Sequence, residues 1–154
     1  MAELPTVHAC AVLVGARAVL IRGPTGSGKS QLAFKLITAA QSGLLPFARL
    51  VADDRIRLEP CHGRLLVRAP DTLAGLIEVR GLGIRQLPHE PVAVVGGVID
   101  LAAPDAKRLP EQAEIEVAGV KLSQLKIAED HDPYPSVMAW LTSKSADVPL
   151  VAEK

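Results

Sequence analysis

Gly23-Pro24-Thr25-Gly26-Ser27-Gly28-Lys29-Ser30 fits the phosphate-binding pattern G-x-x-x-x-G-K-[ST]. The apolar run Ala18-Val19-Leu20-Ile21 precedes it, as a buried strand would. Gln31 to Ile37 follows, with apolar residues at helical spacing. Strand, glycine loop and helix is the context that the motif requires. Glycine lets the backbone turn through dihedrals closed to other residues and come close to a polyphosphate. Successive N–H groups can then point inward, and the helix start adds partial positive charge. Residues Gly23, Pro24, Thr25, Gly26, Ser27, Gly28, Lys29 and Ser30 are therefore the expected nucleotide cradle. Lys29 would reach the outer phosphates, and Ser30 would place a hydroxyl on Mg²⁺.

Around this loop, 154 residues suffice for one domain with a sizeable core. We expect a single domain over 1–154, its core about 7–142 and its end, 143–154, frayed. Apolar residues make up 49% and aromatics only 3%, so the core must be built from Leu, Val, Ile and Ala. The formal net charge of zero argues against nucleic-acid or membrane binding driven by bulk charge. Cys10 and Cys61 make neither a disulfide framework nor a metal cluster and read as reduced thiols. Met1 to Thr6 has no basic start and no long apolar run, so no signal peptide is expected. No stretch approaches the length of a membrane span. The expected compartment is the cytoplasm.

Val7 to Val14 reads as one strand, turning at Gly15-Ala16 into the strand that feeds the loop. That makes the first pair an antiparallel hairpin. The loop helix should stop near Gln41, before Ser42-Gly43. Ala48 to Ala52 is a short strand ending on Asp53-Asp54. Arg55 to Leu58 and Arg64 to Arg68 alternate polar and apolar residues, with Glu59 to Gly63 as the joining loop. Ile77 to Val79 is a further strand before the glycine-punctuated Arg80 to Ile84. Val92 to Ile99 is a strong β run in which Gly96-Gly97 suggests a bulge or a close backbone approach. Glu114 to Val117 and Val120 to Leu125 form a hairpin about Ala118-Gly119, and Ser136 to Leu141 a short helix.

Asp53 and Asp54 lie at a strand end downstream of the loop. Adjacent acids on an extended chain point oppositely. If the chain turns there, one could face a metal and the other an attacking hydroxyl. Either could be the base. Glu78, in an apolar strand, is a metal ligand or an ion-pair partner of Arg80 or Arg68. His8 opens an apolar strand and fits a hydrogen-bonded core histidine or a catalytic one.

Three stretches resemble the bacterial HPr kinase/phosphorylase family. They are Val7-His8 to Val14, Leu50-Val51-Ala52-Asp53-Asp54, and Gly75-Leu76-Ile77-Glu78-Val79-Arg80-Gly81-Leu82-Gly83-Ile84. The last is the most specific, since no generic enzyme with such a loop needs it. The resemblance covers roughly residues 7 to 125. It implies an α/β P-loop domain with a mixed β-sheet, related in fold to the phosphoenolpyruvate carboxykinases. It implies an ATP- and Mg²⁺-dependent protein serine kinase acting on the phosphocarrier HPr. His8 and Lys29 would be active-site residues, and Asp54 the base that takes the serine proton. Ser30 and Glu78 would bind Mg²⁺, with Asp53 beside them, and Arg108 would be a catalytic arginine. A ring of six subunits is the family's assembly. Rival readings are a small-molecule kinase of the P-loop type and a nucleotide-gated interaction module.

This sequence departs from the family in places. Full-length members carry a separate domain before the catalytic one, whereas here the resemblance starts close to Met1, as in shortened proteobacterial forms. Residues 38 to 48 lengthen the connection to Asp53. Where the family has a basic, proline-containing loop for the reverse reaction, Ile127 to Pro135 carries Glu129, Asp130 and Asp132 and no Lys or Arg. The reverse phosphorylase activity is therefore expected to be weak.

Overall fold

The computed structural model describes residues 6–107 and 113–144. Strands β1 (Thr6–His8), β2 (Cys10–Val14) and β3 (Arg17–Arg22) lead to helix α1 (Lys29–Gln41). Then come β4 (Ala48–Ala52), β5 (Arg55–Cys61), β6 (Arg64–Arg68), a 3₁₀ turn (Asp71–Leu73), β7 (Leu76–Val79) and β8 (Gly83–Gln86). The chain continues through β9 (Ala93–Asp100), β10 (Ala113–Val117), β11 (Val120–Lys126) and helix α2 (Pro133–Thr142). The main sheet runs β1-β5-β6-β9-β3-β2-β4, with β11 joined to β9 and β10 to β11. The β3–β9 and β9–β11 pairs are parallel and the rest antiparallel. This is the mixed α/β architecture expected. β7 and β8 form a separate two-stranded ribbon.

The sheet curls, and its central strands β2, β3 and β9 are buried on both faces. One face carries Cys10, Val12, Val19, Ile21 and Ile99 against Leu32, Leu36 and Ile37 of α1. Ala11, Leu20, Ile56, Leu65, Val67, Val95 and Val98 fill the inside of the curl. The β3–β9 pairing is irregular at the Gly96-Gly97 pair. The β3–β9 register jumps from Ala18–Val95 to Val19–Gly97, so Gly96 is a bulged residue. A Cβ on Gly97 would lie 2.6 Å from the Trp140 ring of α2, so only glycine lets that helix close on the sheet.

Three boundaries differ from the sequence reading. Val7–Val14 is not one strand. It breaks at Ala9, whose N–H donates to the Asp54 carbonyl at 3.1 Å. β1 then pairs with β5 while β2 pairs with β3 and β4, so the chain must change partners there. β5 runs on to Cys61, leaving only His62-Gly63 as the turn. Both turn residues have positive φ, 51° and 78°, which suits the right-handed twist of a two-residue hairpin. α2 starts earlier than Ser136 because Pro133 and Pro135 fall in the first turn, where no N–H is needed. Asp132 caps it through the Tyr134 N–H at 3.1 Å.

Candidate active site

The glycine loop joins the end of β3 to the start of α1. Ser27 N–H donates to the Pro24 carbonyl at 3.0 Å, closing a turn inside the loop. Gly23 has φ 156°, and a Cβ there would lie 2.6 Å from Ser27 Oγ and 3.1 Å from the Leu101 carbonyl. No other residue fits. Lys29 folds back, its Nζ donating to the carbonyls of Gly23 at 2.8 Å and Pro24 at 3.2 Å. Ser27 Oγ is buried with no hydrogen-bond partner among the described residues. An orphaned hydroxyl in a glycine loop suits an anionic oxygen.

Asp53 is the buried acid, only 8% exposed. Its Oδ1 accepts from Ser30 Oγ at 2.6 Å and from the Cys10 thiol at 3.0 Å. Its Oδ2 accepts from the Glu78 backbone N–H at 3.0 Å. Four elements, β2, α1, β4 and β7, thus meet on one carboxylate. Burial, then the negative charge of Asp53 and the hydrogen bond to it, push the Cys10 thiol up to about 12. The thiol therefore stays protonated at neutral pH and acts as donor.

Asp54 turns the other way. Its φ is 66°, a left-handed conformation that Asp tolerates better than most residues. Its carboxylate is exposed and lies 3.8 Å from His8 Nδ1, with both side chains about two-thirds open to solvent (67% and 65%). His8 is therefore not a core histidine. The divergence of the two acids matches the turn that the sequence made conditional.

Glu78 is exposed, not buried in its strand, and forms no ion pair with Arg68 or Arg80 among the described residues. Its backbone reaches Asp53, but no side-chain contact brings its carboxylate there. Arg108 lies outside the described residues. No group of three or more His, Cys, Asp and Glu gathers as a metal site among the described residues. Mg²⁺ does not need one, because it keeps several waters and takes one or two carboxylates beside phosphate oxygens. The Ser30 hydroxyl and the Asp53 carboxylate, 2.6 Å apart, are oxygen donors of the kind such an ion takes.

Two residues escape a reading of the sequence alone. Asp100 ends β9 beside the loop strand and takes Arg22 Nε at 2.7 Å and Nη2 at 3.0 Å, a two-pronged pair. Gln124 adds a third bond at 2.6 Å. This clamp holds the residue just before Gly23. The available signal is an arginine at the loop entrance and an acid at the end of the longest β run. Cys10 gives no signal, since only the fold brings it to Asp53.

On the loop's other flank an open cleft of about 400 Å³ is walled by residues 24–27, Leu101, Ala102, Ile127, Glu129 and His131, among others. Among the described residues no Lys or Arg lines it. No helix among the described residues is long and apolar enough to cross a membrane.

Known proteins align with this geometry. HPr kinase/phosphorylase of Clostridium tetani is 38% identical over 82 residues, 53% of this chain and 25% of that protein. The same-named protein of Geobacillus thermodenitrificans is 30% identical over 138 residues, 82% of this chain and 41% of that protein. The chain thus spans well under half of these relatives. The solved Hpr(Ser) kinase/phosphatase of Coxiella burnetii superposes with a TM-score of 0.72 over 88% of this chain and 92% of that one. At 24% identity, that likeness speaks for the fold. The HPr Serine kinase C-terminal domain model matches residues 1–89, which hold the loop, the paired aspartates and the β7–β8 ribbon, and this chain belongs to that family.

Proposed function

We propose that the chain is an ATP- and Mg²⁺-dependent protein serine kinase domain that phosphorylates an HPr-like carrier. One observation carries the reading. The Ser30–Asp53 contact of 2.6 Å ties the loop helix to a strand end whose next residue, Asp54, presents a free carboxylate. On this reading Ser30 and Asp53 are the metal-binding pair and Asp54, the next residue, is the proton acceptor.

Each residue then has a task. The loop N–H groups hold the phosphates, and Ser27 Oγ gains a partner. Lys29 exchanges its carbonyl partners for outer phosphate oxygens. Ser30 and Asp53 would hold Mg²⁺, which supplies positive charge against the charge developing on the transferred phosphoryl group. Asp54 takes the proton of the acceptor serine as its oxygen attacks in line. His8 orients Asp54 from the exposed side. Glu78 would join the metal's water shell by a change of rotamer. The reverse reaction, attack by inorganic phosphate on phosphoserine, brings two anions together and needs extra cations. Glu129 in the cleft wall opposes it, so this activity is weak. The domain works in the cytoplasm.

Labelled ATP, Mg²⁺ and purified HPr test the proposal. Label on an HPr serine upholds it. Nucleotide binding with no transfer makes the chain a nucleotide-gated interaction module.

A further inference from the structure

The outward face of β1, β5 and β6 is strongly basic in a chain whose formal charge is zero. The register puts His8 opposite Arg55 and Arg57 opposite both Thr6 and Arg68, and Cys61 opposite Arg64. Residues opposite each other in an antiparallel pair share a face, and alternate residues along a strand do too. Arg55, Arg57, Arg64 and Arg68 therefore stand on one side. The other side is fixed as the core side, because Ile56, Leu65 and Val67 are fully buried. Side-chain contacts agree. Arg55 Nη1 donates to Thr6 Oγ1 at 3.3 Å, and Arg68 Nε lies 3.7 Å from Glu59 Oε2.

Glu59 is the one acid of β5 and β6. Asp54 lies at the strip's end, and five further acids cluster on β10 (Glu114, Glu116) and in the segment Glu129 to Asp132. Arg55, Arg64 and Arg68 are exposed, and the planar fork of arginine suits carboxylates in pairs. From Arg55 to Cys61 the strip runs about 20 Å at roughly 3.3 Å per residue. It begins beside Asp54, which precedes Arg55 in sequence and lies next to His8, the cross-strand neighbour of Arg55.

We propose that this face is the docking surface for the protein that receives the phosphoryl group, and that it takes an acidic patch on that protein. The proposal rests on the kinase reading above. A protein acceptor has to rest on something while its serine reaches Asp54, and this face starts at that residue. Its charge is opposite to an acidic patch, and charges of this kind steer encounter and set register more than they alter chemistry. The acidic patch lies within about 20 Å of the acceptor serine, the length of the strip.

The test uses the double variant Arg64→Glu/Arg68→Glu, at positions outside the loop and the paired aspartates. With HPr as acceptor, KM for HPr rises about tenfold or more, while kcat and KM for ATP stay within about twofold. Added salt raises the wild-type KM and leaves the variant's flat. Arg64→Lys/Arg68→Lys keeps the charge and recovers most of the affinity. An unchanged KM for HPr overturns the proposal. An unchanged KM together with a fall in oligomer size on sedimentation makes the face a contact between copies of this chain, which also overturns it.

A second readout needs no transfer. Fluorescent polyglutamate binds the wild type in a salt-sensitive way, and the double variant loses that binding. Equal binding by both proteins overturns the acidic-partner assignment. Absence of label on HPr with the wild type overturns the kinase reading instead, and polyglutamate then still judges the face.

Discussion

On one side of the glycine loop, Asp53 accepts three hydrogen bonds, from Cys10, Ser30 and the Glu78 backbone. On the other, Leu101, Ala102, Ile127 and Ala128 wall an open cleft with Glu129 and His131 at its edge. The first flank is assembled from four elements and held by bonds that each restrict one another. The second is walled by the glycine loop and by residues of two loops, Leu101-Ala102 and Ile127 to Pro133. A buried carboxylate survives only with its partners, so every change near Asp53 disturbs several bonds at once. A cleft wall has no such dependence. The difference teaches where chemistry is positioned and where a ligand merely fits.

Lys29 folds back onto the loop carbonyls of Gly23 and Pro24, and its loss has the largest effect. Lys29→Ala removes a charge-assisted contact worth on the order of 1.5–3 kcal/mol in nucleotide binding and more in the transition state. Transfer to HPr falls below detection in a labelled-ATP assay. A near-native rate would break the comparison at its centre.

Asp54→Asn keeps the shape and loses proton acceptance. The rate falls about 10²–10⁴-fold, with nucleotide affinity little changed. Collapsed affinity with normal transfer per bound nucleotide would instead make Asp54 the metal anchor and Asp53 the base. Glu78→Gln raises the Mg²⁺ concentration for half-maximal rate, by a few-fold if the carboxylate acts through bound water. A lower melting temperature with unchanged Mg²⁺ dependence would leave Glu78 a structural residue only.

The cleft flank should respond less. Wild-type protein given phosphoserine-HPr and inorganic phosphate releases pyrophosphate far more slowly than it runs the forward reaction. Glu129→Lys speeds that release and changes forward kcat by no more than a few-fold. A large forward loss in this variant would show that the cleft is as tightly coupled as Asp53.

The smallest effect separates the two cysteines. Cys61 is exposed and Cys10 is buried, so one thiol per chain is alkylated in the folded protein near pH 8 and both after unfolding. Raising the pH toward 10 does not expose Cys10, because its folded thiol is pushed up to about 12. A folded-state value above the ordinary 9.0 means that its contribution to stability is fully present below about pH 9 and lost as pH rises toward 12. Fast modification of both thiols at neutral pH would show that the bonds around Asp53 open readily.

Residues 18 to 41 needed no tertiary information, because strand, glycine loop and helix each follow from local pattern and backbone sterics. The hairpins at residues 10–22 and 113–126 were equally local. The adjacency of Asp53 and Asp54 was visible, and opposite side-chain directions follow from an extended chain. Tertiary structure alone decided which acid was buried. Asp53 is enclosed because β2 and β7, remote in sequence, converge on it, and Asp54 is free because the chain reverses at φ 66°. The break at Ala9, the Asp100 clamp on Arg22 and the basic face of β5 and β6 are likewise choices of strand partner and register. Local propensity carries no information about which strand pairs with which, since that is settled by which faces the packed sheet buries.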